Sequence, residues 1–292
     1  LLDQAAALKP TEALRLLLAA VPDDDREGAP ELPLRLLATA AVGLAAVLRV
    51  QAGSAPMPAE PSSGHAVDFL RMLRGRPADA AEVAALDTYL VSAAEHGLNA
   101  STFTARVVAS TGAGLASAVT AALCALKGPL HGGAPGPVLD MLDAIGRPEN
   151  AEPWLDAAVL RGERLMGFGH RIYRVRDPRS DVVKAAVARL GHDAGRTRFA
   201  EAIEQAALAT LARRKPARSL QTNLEFYTAL LLDGLDIPRA AFTGVFATAR
   251  VAGWIAHGLE QAIGGRLVRP GSRYVGPQPG DTGGRGAPAS AL

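Results

Sequence analysis

Apolar residues recur at helical spacing along most of the chain. Alanine, leucine and valine return every three or four positions in segments that are separated by short breaks rich in proline, glycine or aspartate. The alternation of apolar and polar residues that indicates a β-strand is nearly absent. The pattern predicts an all-α protein with helices over residues 1–21, 32–51, 65–73, 79–94, 103–110, 115–127, 137–144, 152–165, 181–190, 198–214, 223–235 and 242–263.

Two of these predicted helices, 32–51 and 115–127, are apolar on nearly every side. A helix of that composition must be buried against other helices. The longest apolar run, 36–48, is shorter than the ~20 residues that a membrane span needs. We therefore predict core helices and no membrane partner.

The composition narrows the class of protein. Hydrophobic residues make up 49% of the 292 positions, which is enough for a large core, and the net charge is only +2. Because no lysine- and arginine-rich run is interleaved with aromatic residues, a nucleic-acid partner is not expected. The single cysteine, Cys124, is typical of a reducing compartment, and its alanine and leucine neighbours predict a buried, unreactive thiol. With no signal peptide at the start of the sequence, we expect a cytoplasmic location.

Two histidines stand next to glycines. His131 lies in Lys-Gly-Pro-Leu-His-Gly-Gly-Ala-Pro over 127–135, and glycines allow a ligand to approach the backbone closely. His170 follows Gly169, and residues 170–179 contain four arginines and one aspartate. A histidine beside that much positive charge indicates an anionic ligand.

Other kinds of site fit the sequence poorly. No two histidines are four residues apart and no cysteine pair exists, so a metal site is not expected. The Gly-x-Ser-x-Gly motif of covalent catalysis is absent, and no glycine-rich phosphate loop is complete. Acid–base chemistry on an enolate beside bound carboxylates remains, because imidazoles polarise carbonyls, carboxylates remove C–H protons and arginines bind carboxylates. Its candidate groups are His96, His131, His170, Glu225 and nearby arginines.

Four ordered motifs resemble the citrate synthase family: residues 96–134, 167–179, 223–227 and 242–261. The resemblance implies an almost wholly α-helical homodimer in which a smaller domain closes over the substrates. On that basis the large domain comprises residues 1–133 and 239–292, and the inserted small domain comprises residues 134–238. The glycine- and proline-rich tail from about residue 276 is expected to be disordered.

The resemblance also implies a reaction, in which acetyl-CoA condenses with oxaloacetate and water then releases citrate and CoA. The CoA thioester is a substrate, and neither a metal nor a redox cofactor is implied. His131 would stabilise the enol of acetyl-CoA, His170 would bind and protonate the oxaloacetate carbonyl, and Glu225 would be the base. The matching binding residues are His96, Arg179 and Arg269 for oxaloacetate and Arg174 for CoA.

The chain departs from the family at several positions. Glu225 stands where the family has aspartate, Pro135 replaces an asparagine and Ala93 replaces a histidine. The family's C-terminal arginine that reaches the neighbouring subunit has no clear match after Gly276, where Arg285 is the only arginine, and the N-terminal segment is shorter. Two alternatives therefore stay open: a 2-methylcitrate synthase that uses propionyl-CoA, and a family-derived ligand-binding protein of low activity.

Overall fold

The structure, a computed structural model, describes residues 1–23, 31–133, 135–170, 175–191 and 194–276. Most of the predicted tail, 277–292 with Arg285, lies outside the described residues, as does Arg174. Within the described ranges the chain forms thirteen α-helices: α1 Leu2–Ala6, α2 Pro10–Ala19, α3 Glu31–Gln51, α4 His65–Arg74, α5 Ala80–Ala94, α6 Ala100–Ala109, α7 Leu115–Leu126, α8 Pro135–Ile145, α9 Ala151–Leu160, α10 Pro178–Leu190, α11 Ala194–Arg214, α12 Leu224–Gly234 and α13 Phe242–Gly264.

Most predicted helices are found, with shifts at their ends. The segment predicted as one helix over 1–21 is two helices, because Pro10 has no amide hydrogen to donate and occupies the first position of α2 instead. The helix predicted over 152–165 ends at Leu160, and Gly162 then takes a φ of 80°. The part of the chain that the structure describes holds no strand, only an isolated bridge between Phe168 and Thr222.

Helix α13 is the central element of one group of helices. It packs against α3, α5, α6 and α7, and Trp254 near its middle is fully buried. Gly253 lies directly against the carbonyl oxygen of Ala94, where any side chain would collide with backbone. The close approach brings α13 onto the C-terminal end of α5, where His96 follows.

A second group contains α8 to α12. Helix α12 packs against α8 and α10, and α9 packs against α11. Helix α5 joins the groups, because it contacts α13 on one side and α10 on the other. The residues that precede α10 and α12 therefore lie close to the end of α5.

Helix α3 is long and apolar enough to span a membrane by length and composition, with a mean hydropathy of 1.6. Its face containing Leu36, Ala40 and Leu44 is fully buried, and it contacts α2, α4 and α13. These contacts make α3 a core helix of this fold.

The prediction that Cys124 is buried is wrong. Val119, Leu123 and Leu126 form the buried side of α7, and Cys124 lies on the outward side and is exposed. An alanine- and leucine-rich segment does not reveal which side of its helix faces the core, and packing against α6 decides it.

Candidate functional site

His96 and His170 meet edge to face, with their ring centroids 5.2 Å apart. His96 follows α5, and His170 follows Gly167 and Gly169, which both have a φ of 85°. A Cβ at Gly167 would lie 2.9 Å from the Phe226 side chain, so only glycine lets this loop pack on α12. The loop thereby brings two histidines from distant parts of the chain together.

Both imidazoles are held neutral. Burial lowers the pKa of His96 to about 4, and the charge of Arg179 acts in the same direction. Burial also lowers the pKa of His170, where Asp177 opposes the shift and Arg179 adds to it. A neutral imidazole still has one N–H, so each ring can donate a hydrogen bond to a carbonyl oxygen.

Arg179 forms a bidentate ion pair with Asp177 at the start of α10. Its Nε and one terminal nitrogen lie 3.1 and 2.8 Å from the two oxygens of Asp177, which is almost completely buried. Burial alone would raise the pKa of Asp177, but the hydrogen bonds from Arg179 keep that pKa below its usual value. Asp177 also caps α10, accepting the amide hydrogen of Arg179 at 3.0 Å. The guanidinium is thus fixed in orientation beside both histidines.

Glu225 is the second residue of α12 and is partly buried. Its Oε2 atom is buried and has no hydrogen-bond partner within the described part of the chain. Burial raises the pKa of Glu225, the charges of Arg179 and Arg164 oppose the shift, and Asp177 adds to it. A carboxyl group with a raised pKa and an unpartnered oxygen is suited to proton transfer.

His131 lies beside the first turn of α6. The amide of Ser101 donates to its Nε2 at 3.3 Å, and the Ser101 hydroxyl is 2.9 Å from the same atom. Because an amide N–H can only donate, Nε2 is an acceptor and the neutral ring carries its proton on Nδ1. Trp254 of α13 donates to the Ser101 hydroxyl at 3.1 Å, so α13 helps to hold this arrangement.

Arg250 joins the site, although it is not among the candidate groups that the sequence indicated. It is 2% exposed and donates from Nε to the carbonyl of Ala93 at 2.6 Å. Burial, together with the charge of Arg179, lowers its pKa to about 10, and the charge of Glu225 opposes that shift. A lone arginine in the middle of the longest apolar helix was the signal that could have identified it.

Helix α13 also fixes the residue before His96. Nε2 of His257 lies 3.1 Å from a carboxylate oxygen of Glu95. Arg250, Gly253 and His257 therefore contact Ala93, Ala94 and Glu95 in that order. The side of α13 that carries Arg250, Gly253 and His257 is therefore the surface that positions His96.

One predicted binding residue, Arg269, is not part of this arrangement. Arg269 is exposed, and the amide of Val268 next to it donates to the hydroxyl of Ser110 at 3.0 Å. Ser110 caps the C-terminal end of α6, about 15 Å along the helix from the end beside His131. Arg174 lies outside the described residues.

The arrangement suits chemistry on carbonyl compounds that carry carboxylates. Arg179 and Arg250 supply positive charge, neutral His96, His131 and His170 supply hydrogen bonds, and Glu225 can accept a proton. Among the described residues, no group of three histidine, cysteine, aspartate or glutamate side chains is placed to hold a metal ion. Fold and site together define an all-α protein in which imidazoles, arginines and one carboxyl group form a candidate acid–base site.

The family model of the citrate synthase C-terminal domain matches residues 1–271, and the chain belongs to the citrate synthase family. A Mycobacterium tuberculosis H37Rv protein provisionally assigned as citrate synthase 2 is 52% identical over 211 residues, which are 72% of this chain and 56% of that protein. The 2-methylcitrate synthase of the same strain is 41% identical over 267 residues, 90% of this chain and 66% of that enzyme.

The fold comparison agrees. The citrate synthase of Thermoplasma acidophilum, in a ternary complex with carboxymethyl coenzyme A and oxaloacetate, superposes with a TM-score of 0.83. The two sequences are 29% identical, and the match covers 94% of this chain and 74% of the other. The predicted family and the predicted all-α citrate synthase fold are confirmed. This chain nevertheless spans only 56% and 66% of the lengths of the two mycobacterial relatives.

Proposed function

We propose that the protein is a citrate synthase-type enzyme that condenses acetyl-CoA with oxaloacetate to give citrate and CoA. The observation that carries the proposal is Glu225, a carboxyl group with a raised pKa and a buried, unpartnered oxygen. It lies within electrostatic range of Arg179 and Arg250, whose charges also act on the neutral imidazole of His96. This combination serves proton abstraction next to a bound dicarboxylate.

Oxaloacetate is bound through its two carboxylates and its ketone. Arg179 and Arg250 supply the positive charge, and the substrate shares Arg179 with Asp177. The N–H groups of neutral His96 and His170 polarise the ketone oxygen. As the C–C bond forms, His170 passes its N–H proton to that oxygen, and the ring regains a proton from water. Positive potential from the N-terminal end of α10 adds to the attraction for an anion.

Acetyl-CoA is activated by Glu225 and His131. Glu225 removes a proton from the methyl carbon, while Nδ1–H of His131 donates to the thioester oxygen on which negative charge develops. The amide of Ser101 at Nε2 favours the neutral ring needed for this role. The enolate carbon attacks the ketone carbon of oxaloacetate, and water then cleaves the thioester to release CoA and citrate.

The domain division, assembly and location belong to the same proposal. The large domain comprises residues 1–133 and 239–292 and the small domain residues 134–238. Asp236, with a φ of 54°, marks a sharp turn at the second boundary. The proposed location is cytoplasmic and the proposed assembly is a homodimer. Phe103 and Cys124, which are exposed on the paired helices α6 and α7, support the homodimer.

Two arginines complete the binding roles. Arg174, in the arginine-rich segment after His170, contacts the CoA phosphates. Arg269 follows α13 and lies near the C-terminal end of α6, whereas His131 lies at the other end of that helix. Arg269 therefore binds substrate in the partner subunit of the homodimer.

Propionyl-CoA is the second candidate substrate, favoured by the 41% identity to a 2-methylcitrate synthase. One methylene group in an apolar pocket is worth only about 1–3 kcal/mol, so the two thioesters must be compared directly. A higher kcat/KM with propionyl-CoA would replace the first proposal by the second.

The test is release of free CoA, which we expect only when oxaloacetate is present. His131→Ala and His170→Ala should each abolish the release, and the exposed substitution Glu149→Gln should leave it unchanged. Near wild-type turnover in either histidine variant would overturn its role. Oxaloacetate binding without any turnover, by calorimetry beside the CoA assay, would identify the third alternative, a ligand-binding protein.

A further inference from the structure

Glu204 is a buried carboxylate that the proposed reaction does not use. It lies on α11 and is 1% exposed. An ionised carboxylate inside a protein costs several kcal/mol unless it is paired and hydrogen-bonded. A buried charge at this position therefore requires a set of partners, and these partners indicate its role.

Four side chains surround the Glu204 carboxylate. Its Oε1 accepts hydrogen bonds from the Thr222 hydroxyl and from Arg176, both at 2.6 Å. Its Oε2 accepts from the Tyr227 hydroxyl at 2.6 Å and lies 3.5 Å from Nζ of Lys184. Burial alone would raise the pKa of Glu204, but the hydrogen bonds from Thr222, Tyr227 and Arg176 keep that pKa below its usual value. The carboxylate is therefore ionised and fully engaged.

The partners flank proposed site residues on two separate segments. Arg176 directly precedes Asp177, the partner of Arg179. In the sequence, Thr222 lies three residues before Glu225 and Tyr227 lies two residues after it. The Glu204 carboxylate thus links the segment that contains Arg179, the proposed substrate-binding arginine, to the segment that contains Glu225, the proposed base.

Backbone contacts reinforce the same junction. The amide of Asp177 donates to the carbonyl of Thr222 at 3.3 Å, and the amide of Gly169 donates to Gln221 at 2.7 Å. The side-chain amide of Asn223 donates to the carbonyl of Gly169 at 2.9 Å, next to His170. The segment before α12 is therefore joined to both loops of the site, and Glu204 closes the junction from the side of α11.

We infer that Glu204 is a positioning residue of the proposed reaction, which sets Arg179 and Glu225 relative to each other. The inference rests on the proposed function. Glu204 does not contact substrate in this role and acts through Arg176 on one side and through Thr222 and Tyr227 on the other. Because a displacement of ~1 Å can slow a reaction by about 100-fold, such a junction determines the rate.

The test separates the two sides of the junction. Tyr227→Phe removes only the hydroxyl on the Glu225 side, so we expect kcat to fall about tenfold or more with little change in the oxaloacetate Kd. Arg176→Met loosens the segment of Arg179, so we expect a weaker oxaloacetate Kd and a smaller change in kcat. Glu204→Gln should produce both effects, because its amide nitrogen cannot accept the hydrogen bonds that the carboxylate oxygen accepts. Turnover and calorimetric binding are measured well below the Tm of every variant.

Glu82→Gln is the matched control. Glu82 is 4% exposed and pairs with Arg74 at the end of α5 remote from His96. Its loss should lower the Tm and leave kcat and the oxaloacetate Kd unchanged. In the double variant of Glu204→Gln and Tyr227→Phe, the losses in kcat should be less than additive, because Tyr227 acts through Glu204.

The outcomes decide between the inference and the proposed function. A Glu204→Gln variant with wild-type kcat and oxaloacetate Kd would overturn the inference alone, as would an equal loss of kcat in Glu82→Gln. If Glu204→Gln does not fold, the other two variants decide: Tyr227→Phe should lower mainly kcat, and Arg176→Met should weaken mainly the oxaloacetate Kd. If the two variants do not differ in this way, the inference is overturned. A wild-type protein without turnover would overturn the proposed function and this role of Glu204 with it.

Discussion

The burial of Glu225 has two opposite effects: it lowers the stability of the folded protein near pH 7, and it makes the carboxylate a stronger base. Its buried position leaves Oε2 without a hydrogen bond in the described structure and raises the pKa of the carboxyl group. The same features make the carboxylate a stronger base, because the ionised form is poorly stabilised. Compared with the aspartate of the family, glutamate carries one more methylene group, which moves the carboxyl group further from the backbone of α12.

The raised pKa of Glu225 predicts a dependence of stability on pH. Between the unfolded value, about 4.3, and the higher folded value, the folded protein holds a proton that the unfolded chain releases. Stability is therefore lost as the pH rises through that window. We expect Glu225→Gln, which stays neutral, to have a higher Tm than wild type at pH 7 and to lose turnover.

Thermal unfolding from pH 4 to pH 8 checks this expectation, and the two Tm values should converge at the acid end. The exposed substitution Glu149→Gln is the control and should show no such convergence. A lower Tm for Glu225→Gln at pH 7 would contradict the argument.

Arg250 is expected to contribute to oxaloacetate binding. Arg250→Lys keeps a positive charge but loses the donation from Nε to Ala93 and the stacking on Phe246, whose ring centroid is 5.0 Å away. We expect the oxaloacetate Kd to rise about tenfold or more, since hydrogen bonds of a charged group contribute roughly 1.5–3 kcal/mol. Calorimetry measures it, with Arg239→Lys as the exposed control. An unchanged Kd in Arg250→Lys would remove Arg250 from the binding site.

Among the helices, the N-terminal ends carry much of the site. Asn99 caps α6, Asp177 caps α10 and Asn223 caps α12, each within three residues of a proposed site residue. A cap fixes where a helix begins, and the side chains of its first turn follow from that. The caps therefore position chemistry as well as stabilise helices.

Asn223 allows the two effects to be separated. Its side-chain oxygen accepts the amide hydrogen of Glu225 at 3.1 Å, and its side-chain nitrogen donates to Gly169 at 2.9 Å. Asn223→Asp keeps the cap and loses the donor, whereas Asn223→Ala loses both. We expect Asn223→Ala to cost about 1 kcal/mol in stability through the cap and to lower kcat.

Denaturant unfolding beside turnover tests this pair of variants. Asn223→Asp should lower kcat with a smaller loss of stability. Asp79→Ala removes the cap of α5, remote from the site, and should lower stability with unchanged kcat. Wild-type kcat in both Asn223 variants would show that the cap is structural only.

For the whole molecule, the outward side of the α6–α7 pair is where the proposed second copy binds. Phe103 is 46% exposed there and Cys124 is accessible in the single chain. Alanine and serine around Cys124 permit close helix packing. The position of Arg269 at the far end of α6 agrees with a site that is completed by the partner subunit.

The thiol of Cys124 reports on this interface. We expect it to react slowly with a thiol reagent in the native protein at micromolar concentration, because the second copy covers it. Phe103→Glu should weaken the dimer and speed the reaction, and light scattering should show the change in mass. Leu160→Asp, an exposed residue of similar character on α9, is the control. A native monomer with a rapidly reacting thiol would contradict the homodimer.

The sequence by itself determined the helices, the glycine-flanked histidines and the family. Helical periodicity, proline breaks and asparagine caps act over a few residues, so their consequences can be read locally, as at Asn99 and Asn223. The family followed from motifs of the same short range. Within them, glycine is required where the loop before His170 adopts positive φ.

Tertiary structure alone decided which groups meet and which face outward. Arg250 reaches Ala93 across 157 residues of sequence, and Trp254 reaches Ser101 across 153. No periodicity within a helix encodes a partner at that separation, because it depends on how every intervening helix packs. For the same reason Cys124 proved exposed, Arg269 lay at the far end of α6, and the Glu204 junction became visible only once α11 was packed beside the start of α12.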